Sequence, residues 1–278
     1  MRFNGARPYY ALLARSTWTV MSERGTPVLP NFLIIGAARC GTTTLYKNLA
    51  EHPQVYLPFD KRPEPHFFMR DLEYAKGLSY YAGRYFSTVK HQCAIGEAST
   101  SYIFSAAAAA RIARDLAGVK LILMLRHPVE RAFSNYWHTV KSGLETLPFE
   151  QAVAEEEARC AVINDPLMRE NQPFAYLGRS LYFKQLSVYL KHFEMKRIHV
   201  ILFDDLMRDP ATVFQRTCRF LDIEPEGVSA GLGRVENTST PPGASLSPAL
   251  RARLVEFFAH DVKQLAALLK RDLSHWMR

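Results

Sequence analysis

Apolar runs of strand length recur along the chain, and stretches of helical periodicity separate them. Phe32 to Ile35 is unbroken, rich in branched side chains and closed by Gly36, which predicts a strand buried on both faces. The segment Thr42–Ala50 then places Leu45 and Leu49 on one face of a helix. Val55 to Leu57 lies between Pro53 and Pro58 and predicts a short strand. Tyr74, Tyr80, Tyr81, Tyr85 and Phe86 recur at near-helical spacing, a pattern that more often marks core than a binding box. A short strand beginning at Ala94 runs into the polar turn Ser99-Thr100-Ser101, and the alanine run Ala106 to Ala110 starts a helix reaching about Leu116. Val119 to Leu125 predicts a second buried strand, with Pro128 at the first position of the helix after it.

Further along, Phe149 to Ala161 predicts one helix whose acids Glu150, Glu155, Glu156 and Glu157 form a solvated face. Tyr182, Leu186, Tyr189, Leu190 and Phe193 share a helical face, and Ile198 to Phe203 predicts another strand, ended by Asp204 and Asp205. Asp209-Pro210 and Ser247-Pro248 read as helix caps, the second opening a last amphipathic helix with Leu250, Leu254, Phe257, Phe258, Leu265 and Leu268 inward. Strands alternating with helices predict an α/β fold of three layers, a central parallel sheet flanked by helices.

The connection after the first strand changes the picture from fold to chemistry. Its spacing is Gly36-x-x-x-x-Gly41-Thr42-Thr43. A strand, a tight glycine loop and a helix N-terminus make an anion cradle, because backbone N–H groups and the helix dipole converge there. A nucleotide P-loop has lysine where this chain has Thr42, which argues against nucleoside-triphosphate chemistry and leaves the phosphate cradle. Arg39 supplies a cation within the loop; the alternative is that the glycines only shape a turn and Arg39 is a solvated charge.

Candidate acid–base groups follow. In Lys61-Arg-Pro-Glu-Pro-His-Phe-Phe68 the prolines forbid a helix, so Glu64 and His66 sit two residues apart in a stiff loop. A carboxylate so placed beside an anion cradle is a candidate base once burial or neighbours tune its proton affinity; the alternative is a surface Glu64 and a packed His66. Glu97, Ser99 and Thr100 are candidate contacts to a hydroxylated substrate, or residues that brace a turn. Arg126 stands at the C-terminal end of a core strand, where open α/β sheets bind ligands, and Ser134 lies two turns into the next helix. Arginine's planar fork suits a phosphate; the alternative is an ion pair at the sheet edge.

Composition narrows the classes. At 278 residues, 48% apolar and 22% charged, the chain suits one large domain, read here as residues 30–278 behind an N-terminal arm over 1–29. The net charge of +8 fits an anionic ligand, but no zinc-finger spacing, aromatic RNA signature or dense basic run points to nucleic acid. Cys40, Cys93, Cys160 and Cys218 are scattered and form no C-x-x-C pair, so reduced thiols in a cytoplasmic setting are the simpler reading. No apolar run is long enough to span a bilayer, and the basic first residues lack an apolar signal core. Oligomeric state is not readable.

Together these motifs resemble the sulfotransferase superfamily. The carriers are Gly36-Ala-Ala-Arg39-Cys40-Gly41-Thr42-Thr43-Thr44-Leu45 and Leu125-Arg126-His127-Pro128-x-x-Arg131-Ala132-x-Ser134, with Glu64-Pro65-His66-Phe67-Phe68 and Tyr176-Leu-Gly-Arg-Ser-Leu-Tyr182 in order. The similarity is greatest to the branch with heparan-sulfate sulfotransferases and bacterial relatives, and runs from about Pro30 to Trp276. The resemblance implies a P-loop-like fold and 3′-phosphoadenosine 5′-phosphosulfate (PAPS) as co-substrate, with no metal. It implies that Arg39, Cys40, Gly41, Thr42, Thr43 and Thr44 hold the 5′-phosphosulfate, and that Arg126, Ser134 and Tyr182 complete the nucleotide site. It further implies Glu64 as base, Arg39 and His66 as catalytic helpers, and Glu64, Pro65, His66, Glu97, Ser99 and Thr100 around an acceptor, a saccharide hydroxyl or amine first. A lipid or small metabolite is the other acceptor class. The chain departs from the branch at Arg39, where lysine is usual, at Ala98, where a lysine often follows the glutamate, and near Glu236 to Leu246, where no basic loop stands. A P-loop kinase or NTPase, and a non-catalytic PAPS-binding homologue, remain the alternatives.

Overall fold

The computed structural model describes residues 27–58, 64–163, 166–225 and 240–278. The expected arm over 1–29 lies outside them up to residue 26, as do residues 236–239 of the Glu236–Leu246 segment. Among the described residues, β1 (Phe32–Gly36), β2 (Val55–Tyr56), β3 (Ala94–Ala98), β4 (Lys120–Leu125) and β5 (Ile198–Leu202) form one sheet. Its order is β2-β3-β1-β4-β5, and each adjacent pair is parallel. Helices cover both faces, which is why β1 and β4 are apolar without alternation: Phe32 to Ile35 and Leu121 to Leu125 are wholly buried.

This order decides where chemistry can sit. β1 runs between β3 and β4, so the connections leaving all three emerge at one edge of the sheet. Leu33 is level with Glu97 on one side and Leu121 on the other. The register with β4 slips between Ile34 and Gly36, just before the glycine loop begins. Helix Thr42–Ala50 then leads away from the loop, and helix Pro128–Lys141 leaves β4 through Arg126 and His127, whose Nδ1 accepts from the Val129 N–H as a cap.

Most expected elements form, including Asp209 and Ser247 as caps of helices Pro210–Leu221 and Pro248–Leu269. Three expectations need correction. The Phe149–Ala161 helix is broken at Glu155 into Phe149–Ala154 and Glu156–Ala161. Glu156 is not part of a solvated face: its carboxylate turns inward and accepts from the N–H groups of Leu177 and Gly178. β5 ends at Leu202, and Phe203, Asp204 and Asp205 open a short helix instead, because Asp204 is drawn to His275 and to the indole of buried Trp276. Third, Phe257 is 51% exposed, while Phe258 beside it is buried.

Gly96 shows how tightly the sheet is covered. It pairs with Phe32, and a Cβ added there would lie 2.3 Å from the Phe32 ring. Forcing a methyl into such packing costs about 1–3 kcal/mol. Gly96→Ala is therefore expected to lower unfolding free energy by about that amount in denaturant titration; an unchanged midpoint would show that Phe32 swings clear.

Candidate functional site

The three strand ends open onto a cavity of about 920 Å³. Its floor begins at the glycine loop. Gly41 takes φ 86° at the N-terminus of helix Thr42–Ala50, a conformation glycine adopts freely, and a Cβ there would meet the Phe203 ring at 2.9 Å. Gly41, Thr42 and Thr43 line the cavity at a helix N-terminus, where the helix dipole favours an anion. Arg39 also lines it, with Nε donating to Ser134 Oγ at 3.2 Å. Burial, then the guanidinium groups of Arg126 and Arg131, hold the Arg39 pKa below its ordinary value. Arg126 lies over the Phe203 ring at 5.1 Å and reaches Glu130 only at 3.9 Å, while Glu130 is engaged at 2.6 Å by Arg251.

Opposite the loop stands the segment after β2. Thr100 grips the Glu64 carboxylate twice, its N–H donating to Oε2 at 2.9 Å and its hydroxyl to Oε1 at 2.7 Å. His66 Nε2 is 3.3 Å from Glu64 Oε2, and His66 Nδ1 is buried without a hydrogen-bond partner. Burial first, then Arg70 and Arg179, push the His66 pKa down to about 3, so the imidazole is neutral at physiological pH. Its backbone N–H donates to Ser99 Oγ at 2.9 Å.

Of the residues singled out from sequence, Arg39, Gly41, Thr42, Thr43, Glu64, Pro65, His66, Thr100, Arg126 and Ser134 line this one cavity. Five others stand behind its wall. Cys40 and Tyr182 are buried, with Sγ and the hydroxyl 3.6 Å apart and Tyr182 donating to the Arg126 carbonyl at 2.9 Å. Both lie outside the cavity lining, as does Thr44, which is also buried. Glu97 and Ser99 also correct the expectation of acceptor contact. Glu97 is fully buried and accepts from Tyr81, Ser99 and Tyr102, because β3 points it into the helix layer.

Other residues were not anticipated. Arg131 is wholly buried and ties the loop down: it donates to the carbonyls of Ala38 at 3.5 Å and Tyr176 at 2.6 Å, and to Ser180 Oγ at 2.6 Å. Arg179 donates to the Asn171 carbonyl at 2.7 Å and to Ser101 Oγ at 2.8 Å while still lining the cavity. Arg70, His138 and Lys141 line it as well, and Arg70 Nε is buried without a hydrogen-bond partner. The signal for part of this set was present: Arg131, Asn135, His138 and Ser142 repeat at helical spacing on an otherwise buried helix, a polar stripe that needs a polar space beside it. Among the described lining residues, Arg39, Arg70, Arg126, Lys141 and Arg179 face a single carboxylate, that of Glu64. Such a surface suits a polyanionic ligand, whose charge would relieve the mutual repulsion of the guanidinium groups. Among the described residues no group of three or more His, Cys, Asp or Glu side chains could hold a metal, and no helix is long and apolar enough to cross a membrane.

The chain is similar to known sulfotransferases. The sulfotransferase domain profile matches residues 29–238. A solved sulfotransferase from Alicyclobacillus acidocaldarius is 35% identical, with a TM-score of 0.77 over 90% of this chain and 100% of that one. The heparan sulfate glucosamine 3-O-sulfotransferase 3A1 of Homo sapiens is 30% identical over 80% of this chain and 51% of its own. The membrane-associated sulfotransferase kil1 of Dictyostelium discoideum is 26% identical over 88% of this chain and 66% of its own. The chain thus spans about half to two thirds of the length of these two relatives.

His66 offers a direct check of the electrostatics. With a folded pKa near 3 against an ordinary 6.5, it holds fewer protons folded than unfolded. Its contribution to stability is full above pH 6.5 and is lost as pH falls towards 3. A histidine NMR titration is expected to show His66 unprotonated from pH 8 to 5; a midpoint near 6.5 would mean the ring is solvated.

Proposed function

The chain belongs to the sulfotransferase domain family, and from that premise we propose that it transfers the sulfuryl group of PAPS to a hydroxyl or amine of an acceptor, a saccharide first. The observation that carries this reading is the pairing, in one cavity, of an anion loop bearing Arg39 with a carboxylate fixed at both oxygens by Thr100. The saccharide rests on the heparan-sulfate relatives' names, and the hydroxyl, amide and guanidinium groups among the lining residues of the 920 Å³ cavity suit one.

In this reading Arg39 and the N–H groups of Gly41 to Thr43 hold the 5′-phosphosulfate, and Arg126 and Ser134 the 3′-phosphate. The Arg39–Ser134 hydrogen bond links the two subsites. Glu64 takes the acceptor proton as the acceptor oxygen or nitrogen bonds to sulfur. The bond from sulfur to the bridging oxygen breaks, and its electron pair stays with the departing bisphosphate. Arg39 and the loop N–H groups stabilise the charge growing there. Neutral His66 borders Glu64 without competing for a positive charge, so its part is to shape the carboxylate's surroundings. Ala98 carries no cation, and Arg179 and Arg70 bring positive charge to that side of the cavity instead. The kinase alternative loses its ground with family membership, since Thr42 offers no ammonium to a γ-phosphate.

Glu64→Gln is expected to reduce turnover by about 10²–10⁴-fold while leaving affinity for 3′-phosphoadenosine 5′-phosphate within about twofold; full activity would remove Glu64 from the mechanism. Arg126→Ala is expected to weaken that nucleotide by roughly ten- to a hundredfold, as loss of a charge-assisted hydrogen bond would; equal affinity would end its phosphate role. The founding experiment is calorimetric titration with the bisphosphate against ATP plus Mg²⁺, followed by an acceptor screen. Preference for ATP would overturn the reading, and nucleotide binding without turnover on any acceptor would identify a non-catalytic homologue.

A further inference from the structure

We propose that Glu97 is a positioning residue for the base: its carboxylate, as the common acceptor of three hydroxyls, holds the loop carrying Glu64 against the end of β3. The inference rests on Glu64 acting as base.

The argument is one of hydrogen-bond direction. Tyr81 and Tyr102 donate to Glu97 Oε1 at 3.0 and 2.8 Å, and Ser99 donates to Oε2 at 2.9 Å. A hydroxyl has one proton to give. With those protons spent on Glu97, the oxygens of Ser99 and Tyr102 are left as acceptors, and both are used by the same loop. The His66 N–H donates to Ser99 Oγ at 2.9 Å, and the Phe68 N–H donates to the Tyr102 hydroxyl at 3.3 Å. Ser99 also adjoins Thr100, which grips Glu64. The backbone from Glu64 to Phe68 therefore hangs on hydroxyls that Glu97 orients. It needs such anchors, because His66 is held at φ 49°, a strained conformation for a residue with a side chain.

An ionised carboxylate is the form that fits. Protonated Glu97 would have to donate its own proton to one of these hydroxyls, reversing one link and, at Ser99 or Tyr102, adding a second donor to an oxygen that a loop N–H already uses. The groups facing it are Tyr81 and Tyr85 from helix Gly77–Tyr85, Ser99 and Tyr102 beyond β3, Tyr189 from helix Tyr182–Tyr189, and Glu64. None of these offers a positive charge. Burial pushes the Glu97 pKa up to about 7 against the pull of its three donors, and the Glu64 charge adds to the rise. The folded state therefore holds this proton more tightly than the unfolded one, whose ordinary value is 4.5. Ionisation penalises stability in full above about pH 7, and the penalty fades as pH falls towards 4.5. A carboxylate kept only for structure would be better replaced by a neutral amide, so stability and loop geometry pull in opposite directions here.

The test uses the full chain and two readouts. Hydrogen exchange by NMR follows the His66 and Phe68 amides without substrate, and turnover is measured with PAPS. In the wild type, protection of both amides is expected to fall as pH drops through about 7. In Glu97→Gln it is expected to be lower throughout, with no step near that pH. Turnover should drop roughly ten- to a hundredfold, as for a misplaced catalytic group, with bisphosphate affinity unchanged and a Tm at pH 8 no lower than wild type. Wild-type protection and turnover in Glu97→Gln would overturn the proposal. Should that variant not fold, Ser99→Ala cuts one link only: His66 should lose protection while Phe68 keeps it, and unaltered His66 exchange would equally overturn it. Wild-type protein that binds no bisphosphate would sink the sulfotransfer reading, and the exchange results would still decide whether Glu97 holds the loop.

Discussion

Everything at this site depends on one close approach. Gly36 ends β1 with φ 150°, and a Cβ there would lie 2.5 Å from the Ile103 side chain and 2.8 Å from the Thr100 carbonyl. Only a residue without a side chain lets the anion loop leave the sheet directly beside the turn that grips Glu64. The Glu64 carboxylate and the glycine loop are thus neighbours because two backbone segments are nearly in contact. The parallel order that puts β1 between β3 and β4 supplies the rest, delivering Arg126 to the same edge from the other side.

Behind that edge the wall is built from buried polar groups instead of oil. Arg131 binds the carbonyls of Ala38 and Tyr176, and Arg179 binds those of Asn171 and the hydroxyl of Ser101. Glu97 draws in three hydroxyls. A buried charge is expensive unless its hydrogen bonds are made, and an apolar residue of similar shape is often the more stable choice. What such groups provide is direction. Each fixes loop backbone that has no helix or strand of its own to define it. That suits a site that must hold a carboxylate, an arginine and a phosphate cradle in one relative geometry.

The cavity's charge also bears on the departures from the heparan-sulfate branch. Arg39 stands for a lysine, and Ala98 leaves another lysine unreplaced in sequence, yet Arg70 and Arg179 reach the cavity from two other segments. Charge lost at one position is present nearby from elsewhere in the chain. Guanidinium groups differ from ammonium in offering a fixed fork and no readily lost proton, which under the proposed mechanism leaves proton transfer to Glu64.

The sequence by itself determined the alternation of strand and helix, the parallel sheet, and the strand–loop–helix at Gly36 to Thr44, because unbroken apolar runs and glycine punctuation are local signals. It also carried Arg39, Glu64, Arg126 and Ser134 into consideration, each lying at a strand end, in a stiff loop or in a recognisable motif. Only the tertiary structure decided which polar residues face the cavity and which support it. Glu97 and Thr100 are three positions apart, yet one is wholly buried among hydroxyls while the other touches Glu64 at the cavity surface. Cys40 and Gly41 divide in the same way between core and cavity. The break at Glu155 and the inward turn of Glu156 were likewise invisible, since the N–H groups that attract its carboxylate come from Leu177 and Gly178 in another segment. The reason is general to this site: hydrophobic pattern records which elements are buried, but the partner of a buried polar group is distant in sequence, and only the packed chain brings the two together.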